Sequence, residues 1–171
     1  MHMGRGNPKH KYNMLRDDHL VTLESSECEK DLGVYIDNEL KFRSHIDRMS
    51  KKANGALGLI RRSFEYINTD MFKTLFTSLV RPHLEYGNII WAPYYKKDIK
   101  VIENVQRRGI KMEPELKDLG YEERLKRLSL PSLVYRRFCG DMIETYKNLH
   151  GCYDVKSVLK MDTYGKTRDT K

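Results

Sequence analysis

The order of apolar and polar residues divides the chain into a short front of strands and a long run of helices. Over residues 1–40 the apolar positions come in short runs, the length and spacing of strands. Tyr12-Asn13-Met14-Leu15 and His19-Leu20-Val21-Thr22-Leu23 flank Arg16-Asp17-Asp18, whose acidic residues suit a hairpin turn. Leu32-Gly33-Val34-Tyr35-Ile36 is expected as a third strand, with Gly33 marking a bulge or a close backbone approach. After Asn38 the period becomes helical. From Lys41 to Phe64, Phe42, Ile46, Met49, Ala53, Ala56, Leu57, Ile60 and Phe64 recur as one helical face. Arg43, Arg48, Lys51, Lys52, Arg61 and Arg62 take the opposite face.

A second helix is capped by Asn68 or Thr69 and buries Phe72, Leu75, Phe76, Leu79 and Val80. Pro82 should kink or stop it, because its ring removes an N–H and clashes with the preceding turn. A third helix spans about Lys97 to Lys111, with Ile99, Ile102, Val105 and Ile110 on one arc. Lys100, Arg107, Arg108 and Lys111 lie opposite, while Gln106 sits near the apolar arc and should satisfy a partner inside the bundle. A short helix follows at Tyr121 to Leu128, with Tyr121 and Leu125 packing inward and Glu123 and Arg124 outward. The last helix starts at Pro131, buries Val134, Phe138, Met142, Tyr146 and Leu149, and ends at Gly151. The pattern predicts a mainly α fold: a small N-terminal β-hairpin and strand element over residues 1–40, a helical bundle over 41–150, and a polar, poorly ordered tail over 151–171. The β element is too small to stand alone and should belong to a larger sheet.

A chain of 171 residues has room for one ordinary domain. With 39% hydrophobic and 33% charged residues, it can form a core under a very polar surface. The net charge of +8 favours polyanionic partners, nucleic acid ahead of an anionic membrane. No run is apolar enough to span a bilayer, and Met1 to Lys11 lacks the apolar centre of a secretory signal. Cys28, Cys139 and Cys152 form no C-x-x-C pair, which fits reduced thiols in an intracellular protein, nuclear or cytoplasmic. His45 and His83 have no partner at metal spacing and are expected to be structural. Asp17-Asp18 is a pair of the type that holds divalent ions, but no third carboxylate on an apolar strand completes a site, so a plain acidic turn is expected. Trp91 and Tyr86 could stack on bases and are expected in the core instead.

The best binding candidate is the polar face of the first long helix. Gly55 and Gly58 stand there among Arg48, Lys51, Lys52, Arg61 and Arg62. Small residues beside cations let a phosphate backbone lie close, and each cation that neutralises a phosphate releases counterions. Arg108 and Arg136 point away from their apolar arcs and are expected to be free to meet phosphate.

Five short motifs follow one another in the second half: Val80-Arg81-Pro82-His83-Leu84-Glu85-Tyr86, Trp91-Ala92-Pro93, Ile102-Glu103-Asn104-Val105-Gln106-Arg107-Arg108, Tyr121-Glu122-Glu123-Arg124-Leu125, and Tyr135-Arg136-Arg137 with Gly140-Asp141. Singly they are weak. In this order they resemble the segment after the catalytic palm in reverse transcriptases of non-LTR retrotransposons, the jockey-like and LINE-type elements. The resemblance runs from about Met1 to Gly151, and the chain contains no Tyr-x-Asp-Asp motif. It implies a fragment of a larger α+β RNA-directed DNA polymerase: the end of the palm, then a thumb-like bundle. Asp31-Leu32-Gly33-Val34 resembles the start of the primer grip, where a glycine lets backbone approach the primer. The implied partners are an RNA–DNA or DNA duplex, bound without sequence preference, and the missing palm, with no membrane. Mg2+ is implied for the parent enzyme and no cofactor or catalytic residue for this chain. The polar stretch Gly109 to Pro114 departs from the family pattern. A different class of function is a non-enzymatic helical interaction module, or an inert relic of the element, with apolar faces that seek a protein partner.

Overall fold

Two β-hairpins open the computed structural model, which describes residues 1–4 and 6–153, the Glu115 side chain excepted. β1 (Asn13–Arg16) pairs antiparallel with β2 (His19–Thr22), and Asp17 and Asp18 form the turn with φ of 49° and 59°. Positive φ at both turn residues matches the right-handed twist of the strands, and Asp tolerates it better than most residues. The hairpin expectation holds here. β3 (Cys28–Asp31) pairs with β4 (Val34–Asp37) around a second two-residue turn, Leu32 (φ 44°) and Gly33 (φ 89°). Leu32 to Ile36 is therefore not one strand, and Gly33 is a turn residue and not a bulge. The strand before the turn, Cys-Glu-Lys-Asp, is exposed throughout and has no apolar alternation to announce it. The hairpins are separate two-stranded sheets.

The helices begin with α1 (Arg43–Ser63), which buries Ile46, Met49, Ala53, Leu57 and Ile60, with Phe42, Ala56 and Phe64 packed beside them. α2 (Thr69–Leu75) is capped by Asn68, whose Oδ1 accepts from the Met71 N–H at 2.8 Å. The helix does not stop at Pro82. It widens into a π turn (Phe76–Val80) and continues as α3 (Arg81–Glu85). The Arg81 N–H bonds back to the Phe76 carbonyl, so Pro82 falls in a fresh first turn, where its missing N–H is not needed. Phe72, Phe76, Val80 and Leu84 form the buried column at a four-residue spacing. That spacing is wider than the ordinary helical period and moves Leu79, expected inside, to 44% exposure.

α4 (Asn88–Trp91) and α5 (Lys96–Ile110) follow, then a 3-10 turn at Pro114–Leu116, α6 (Tyr121–Arg127) and α7 (Leu133–Leu149). Ile102, Val105 and Ile110 face the core. Gln106 is fully buried, and its Nε2 donates to the Pro131 carbonyl at 2.9 Å. α1 packs against α5. At Gly109 an added Cβ would lie 3.1 Å from Leu57 Cδ2 and 3.2 Å from Phe76 Cε2, so the missing side chain sets how closely the helices approach. Trp91 is buried, and its indole N–H donates to the Tyr86 carbonyl at 2.6 Å. Tyr86 itself is 58% exposed and not core, because its hydroxyl reaches out to the Leu32 carbonyl at 2.8 Å. Arg124, expected to point outward, is buried.

The chain divides into two compact units, Met1–Arg137 and Phe138–Lys171. In the second, Phe138, Met142, Tyr146 and Leu149 are 63%, 59%, 59% and 52% exposed, and Val134 in the first is 46% exposed. The expected burial of this stripe is not found. Within the second unit the described residues carry one helix, so no second described element of that unit covers the stripe. The predicted C-terminal tail from residue 154 onward lies outside the described residues. Among those described, no helix is long and apolar enough to cross a membrane. The architecture is mainly α with a small β element.

Candidate nucleic-acid interface

A groove of about 650 Å³ opens where α1, the end of α5 and the following turn meet. Arg61 contributes from α1, Arg108 from α5, and Lys111 and Lys117 from the connection to α6. All four are exposed, and Glu65 is the acid among the described lining side chains. Cations gathered in a concave surface reinforce one another's field and attract polyanions. Leu57, Phe64 and Met112 form apolar lining, and Tyr66, 71% exposed, lines the groove as well.

Local structure explains why these groups converge. Arg107 and Arg108 sit in the last turn of α5 and Lys111 just beyond it, where they complement the negative end of the helix dipole. The close approach at Gly109 brings Arg108 to α1, and its Nη1 donates to Asn54 Oδ1 at 2.7 Å. Asn54 is oriented in turn by its Nδ2, which donates to the Ser50 carbonyl at 2.8 Å. The guanidinium is thus aimed without being neutralised. Gly58 has no atom within 4 Å of where a Cβ would stand, so nothing blocks approach from solvent. Lys117 is positioned by Arg124, whose Nε and Nη2 donate to the carbonyls of Leu116 and Lys117, each at 2.8 Å.

A second hollow of about 520 Å³ adjoins the groove and shares Arg108 and Lys111 with it. There the Arg107 guanidinium lies 4.0 Å from the Tyr121 ring centroid, and the Tyr121 hydroxyl donates to Glu103. Burial first, and then this hydrogen bond, push the Tyr121 phenol well above the ordinary tyrosine range. Its proton stays in place as a donor at any physiological pH.

The residues singled out in the sequence separate into groups. Gly58, Arg61 and Arg108 share the groove. Lys51, Lys52, Arg62 and Gly55 are exposed on α1 outside its lining, and Arg48 lies 4.4 Å from the Tyr35 ring centroid. Arg136 is not free for phosphate: it makes a bidentate pair with Glu85 at 2.5 and 2.9 Å, because α3 presents that carboxylate to it. Arg81 also feels this cluster; burial and then Arg136 lower its pKa, against the pull of Glu85. Asp31-Leu32-Gly33-Val34 forms the second hairpin turn. A Cβ at Gly33 would stand 3.2 Å from Tyr86 Cε1, so the close approach at this glycine is made by the Tyr86 ring. His45 is fully buried, and its Nδ1 accepts from the Tyr35 N–H at 3.2 Å.

Asp17 and Asp18 are placed as a plain acidic turn and not as a site for divalent ions. They occupy an exposed turn, and Asp17 faces Arg16 at 3.9 Å. Among the described residues no three His, Cys, Asp or Glu side chains gather as a metal-binding group.

Lys117 and Tyr66 were not singled out from the sequence, since neither belongs to a periodic face. An exposed tyrosine flanked by Glu65 and a helix rich in arginine was the available signal.

No family model matches the chain, and no solved structure matches it. Among curated proteins it is similar to an uncharacterized protein of Caenorhabditis elegans, at 26% identity over 122 residues, which cover 70% of this chain and 61% of that protein. The chain thus spans about 61% of the length of the curated relative it matches.

Proposed function

We propose that the chain binds nucleic acid through its phosphates, without sequence preference, as a thumb-like portion of a non-LTR retrotransposon reverse transcriptase. The observation that carries the binding is the groove in which Arg61, Arg108, Lys111 and Lys117 converge beside Gly58. The order of the five motifs supports the polymerase assignment. In this reading the parent enzyme copies RNA into DNA, and its palm supplies the carboxylates and the Mg2+ they hold. This chain contributes grip on the primer–template duplex and no reacting group.

Fluorescence anisotropy with a short labelled DNA or RNA–DNA duplex tests the proposal across a salt series. Neutralising one phosphate per groove cation gives a slope of log affinity against log salt of about −3 to −4. Arg61→Glu and Lys111→Glu should each weaken binding more than Lys51→Glu, which lies outside the groove. A flat salt response, or equal losses at all three positions, would sink the groove as the binding site.

A second reading, a helical interaction module, is favoured by the exposed Phe138, Met142, Ile143 and Tyr146 of α7. Self-association at micromolar concentration, without duplex binding at low salt, is the result that would select it.

A further inference from the structure

The groove carries more than a duplex backbone uses. Phosphates need cations, and Arg61, Arg108, Lys111 and Lys117 provide them. Tyr66 is a different kind of surface: a ring 71% exposed, beside the partly buried Phe64 and Met112. Among the described residues no hydrogen bond or ring contact engages the Tyr66 side chain. The groove's 650 Å³ also lies in the size range of about 300–1,000 Å³ that encloses a small organic moiety. In a duplex the flat faces of the bases are already stacked on one another, and only edges and phosphates reach outward. An unpaired nucleotide presents a flat face and a phosphate together, which is the combination this groove offers.

We infer that the groove takes an unpaired nucleotide, with its base on Tyr66 and its flanking phosphates on the four cations. The preferred ligand then contains a single-stranded segment. This rests on the nucleic-acid reading above and goes further by naming the part of the ligand that enters. The chemistry is common to single-stranded DNA and RNA.

The full chain is titrated with three labelled ligands at one salt concentration: a blunt duplex, the same duplex with a single-stranded extension, and the extension strand alone. Each is made as DNA and as RNA. The two ligands with unpaired bases are expected to bind roughly ten-fold tighter than the blunt duplex, the value of stacking one base on an aromatic ring. Tyr66→Ala should erase that gap by weakening the two ligands with unpaired bases far more than the blunt duplex, while Tyr66→Phe should keep it. Because Tyr66 is largely exposed, a circular dichroism spectrum matching wild type is expected for both variants. A preference seen with only DNA or only RNA still supports the inference and adds recognition of the sugar. Equal affinity for all three ligands, or a Tyr66→Ala loss of the same size on each, overturns it. Tight binding of the single strand with none of the blunt duplex keeps the inference and overturns the duplex reading. Binding of the blunt duplex alone does the reverse, and no binding of any ligand overturns both.

Discussion

Removing one oxygen atom from Tyr121 should destabilise the fold by more than its size suggests. Glu103 is 7% exposed on α5; its Oε1 accepts from the Tyr121 hydroxyl, and among the described residues its Oε2 has no hydrogen-bond partner. Tyr121→Phe leaves the carboxylate buried with neither oxygen bonded. A hydrogen bond to a charged group contributes about 1.5–3 kcal/mol, and stranding its buried partner puts the loss toward the upper end, so ~2–3 kcal/mol is expected. Phenylalanine keeps the ring over which Arg107 sits, so that contact does not confound the result. Tyr121→Phe combined with Glu103→Leu removes both members and should recover most of the loss, since no polar atom is then left stranded. Urea denaturation followed by circular dichroism measures this as a lower midpoint at unchanged slope. A Tyr121→Phe loss below about 0.5 kcal/mol, or a double variant whose loss equals the sum of the single ones, would refute the reasoning. The same pair has an alkaline signature. The folded phenol holds its proton above the ordinary range, whereas the unfolded chain's tyrosines ionise near pH ~10. The contribution is complete below about pH 10 and is lost as the pH rises beyond it, and Tyr121→Phe should flatten that limb.

Three further outcomes follow from other contacts. Burial, with Lys52 as the smaller cause, lowers the pKa of His45, so its stability contribution is complete above about pH 6.5 and is lost as the pH falls; His45→Gln should reduce the acid dependence of the urea midpoint, and an unchanged acid limb would reject this. Asn68→Ala removes the cap of α2 and should lower stability by about 1 kcal/mol, checked in the same titration. Gly33→Ala places a Cβ at φ 89° and against Tyr86, and a loss of roughly 1–2 kcal/mol is expected, with no loss counting against the turn geometry.

Much of the helical scaffold was legible because burial imposes a period. The expected Lys41–Phe64 helix and the observed Arg43–Ser63 differ only at the ends, and of the two caps expected for the second helix, Asn68 and Thr69, Asn68 is the one observed. The failures have local causes. β3 carries no apolar residue to signal it, and Arg124 was placed outside because its type is polar, although two carbonyls hold it inside. The period of α7 marks an apolar stripe but says nothing of what covers it. For the groove, the polar face of α1 supplied Gly58 and Arg61, and the cationic end of α5 supplied Arg108. Which cations meet depends on contacts far apart in sequence: Arg108 reaches Asn54, and Arg124 fixes the turn that presents Lys117.

The widened turn at Phe76–Val80 makes chain length a variable at this one helix. A π turn is an α-helix holding one residue more than its span requires. Deleting one of the exposed positions there, such as Ser78 or Leu79, would return the segment to a regular helix and leave its two ends in register. Pro82 would then lie in a helix interior, its ring pressed on the carbonyl of the preceding turn. The surplus residue and the proline therefore act as a pair. Loss of the surplus residue alone would force the backbone to readjust around the proline, whereas loss of the residue together with replacement of Pro82 leaves an uninterrupted α-helix between Phe72 and Leu84.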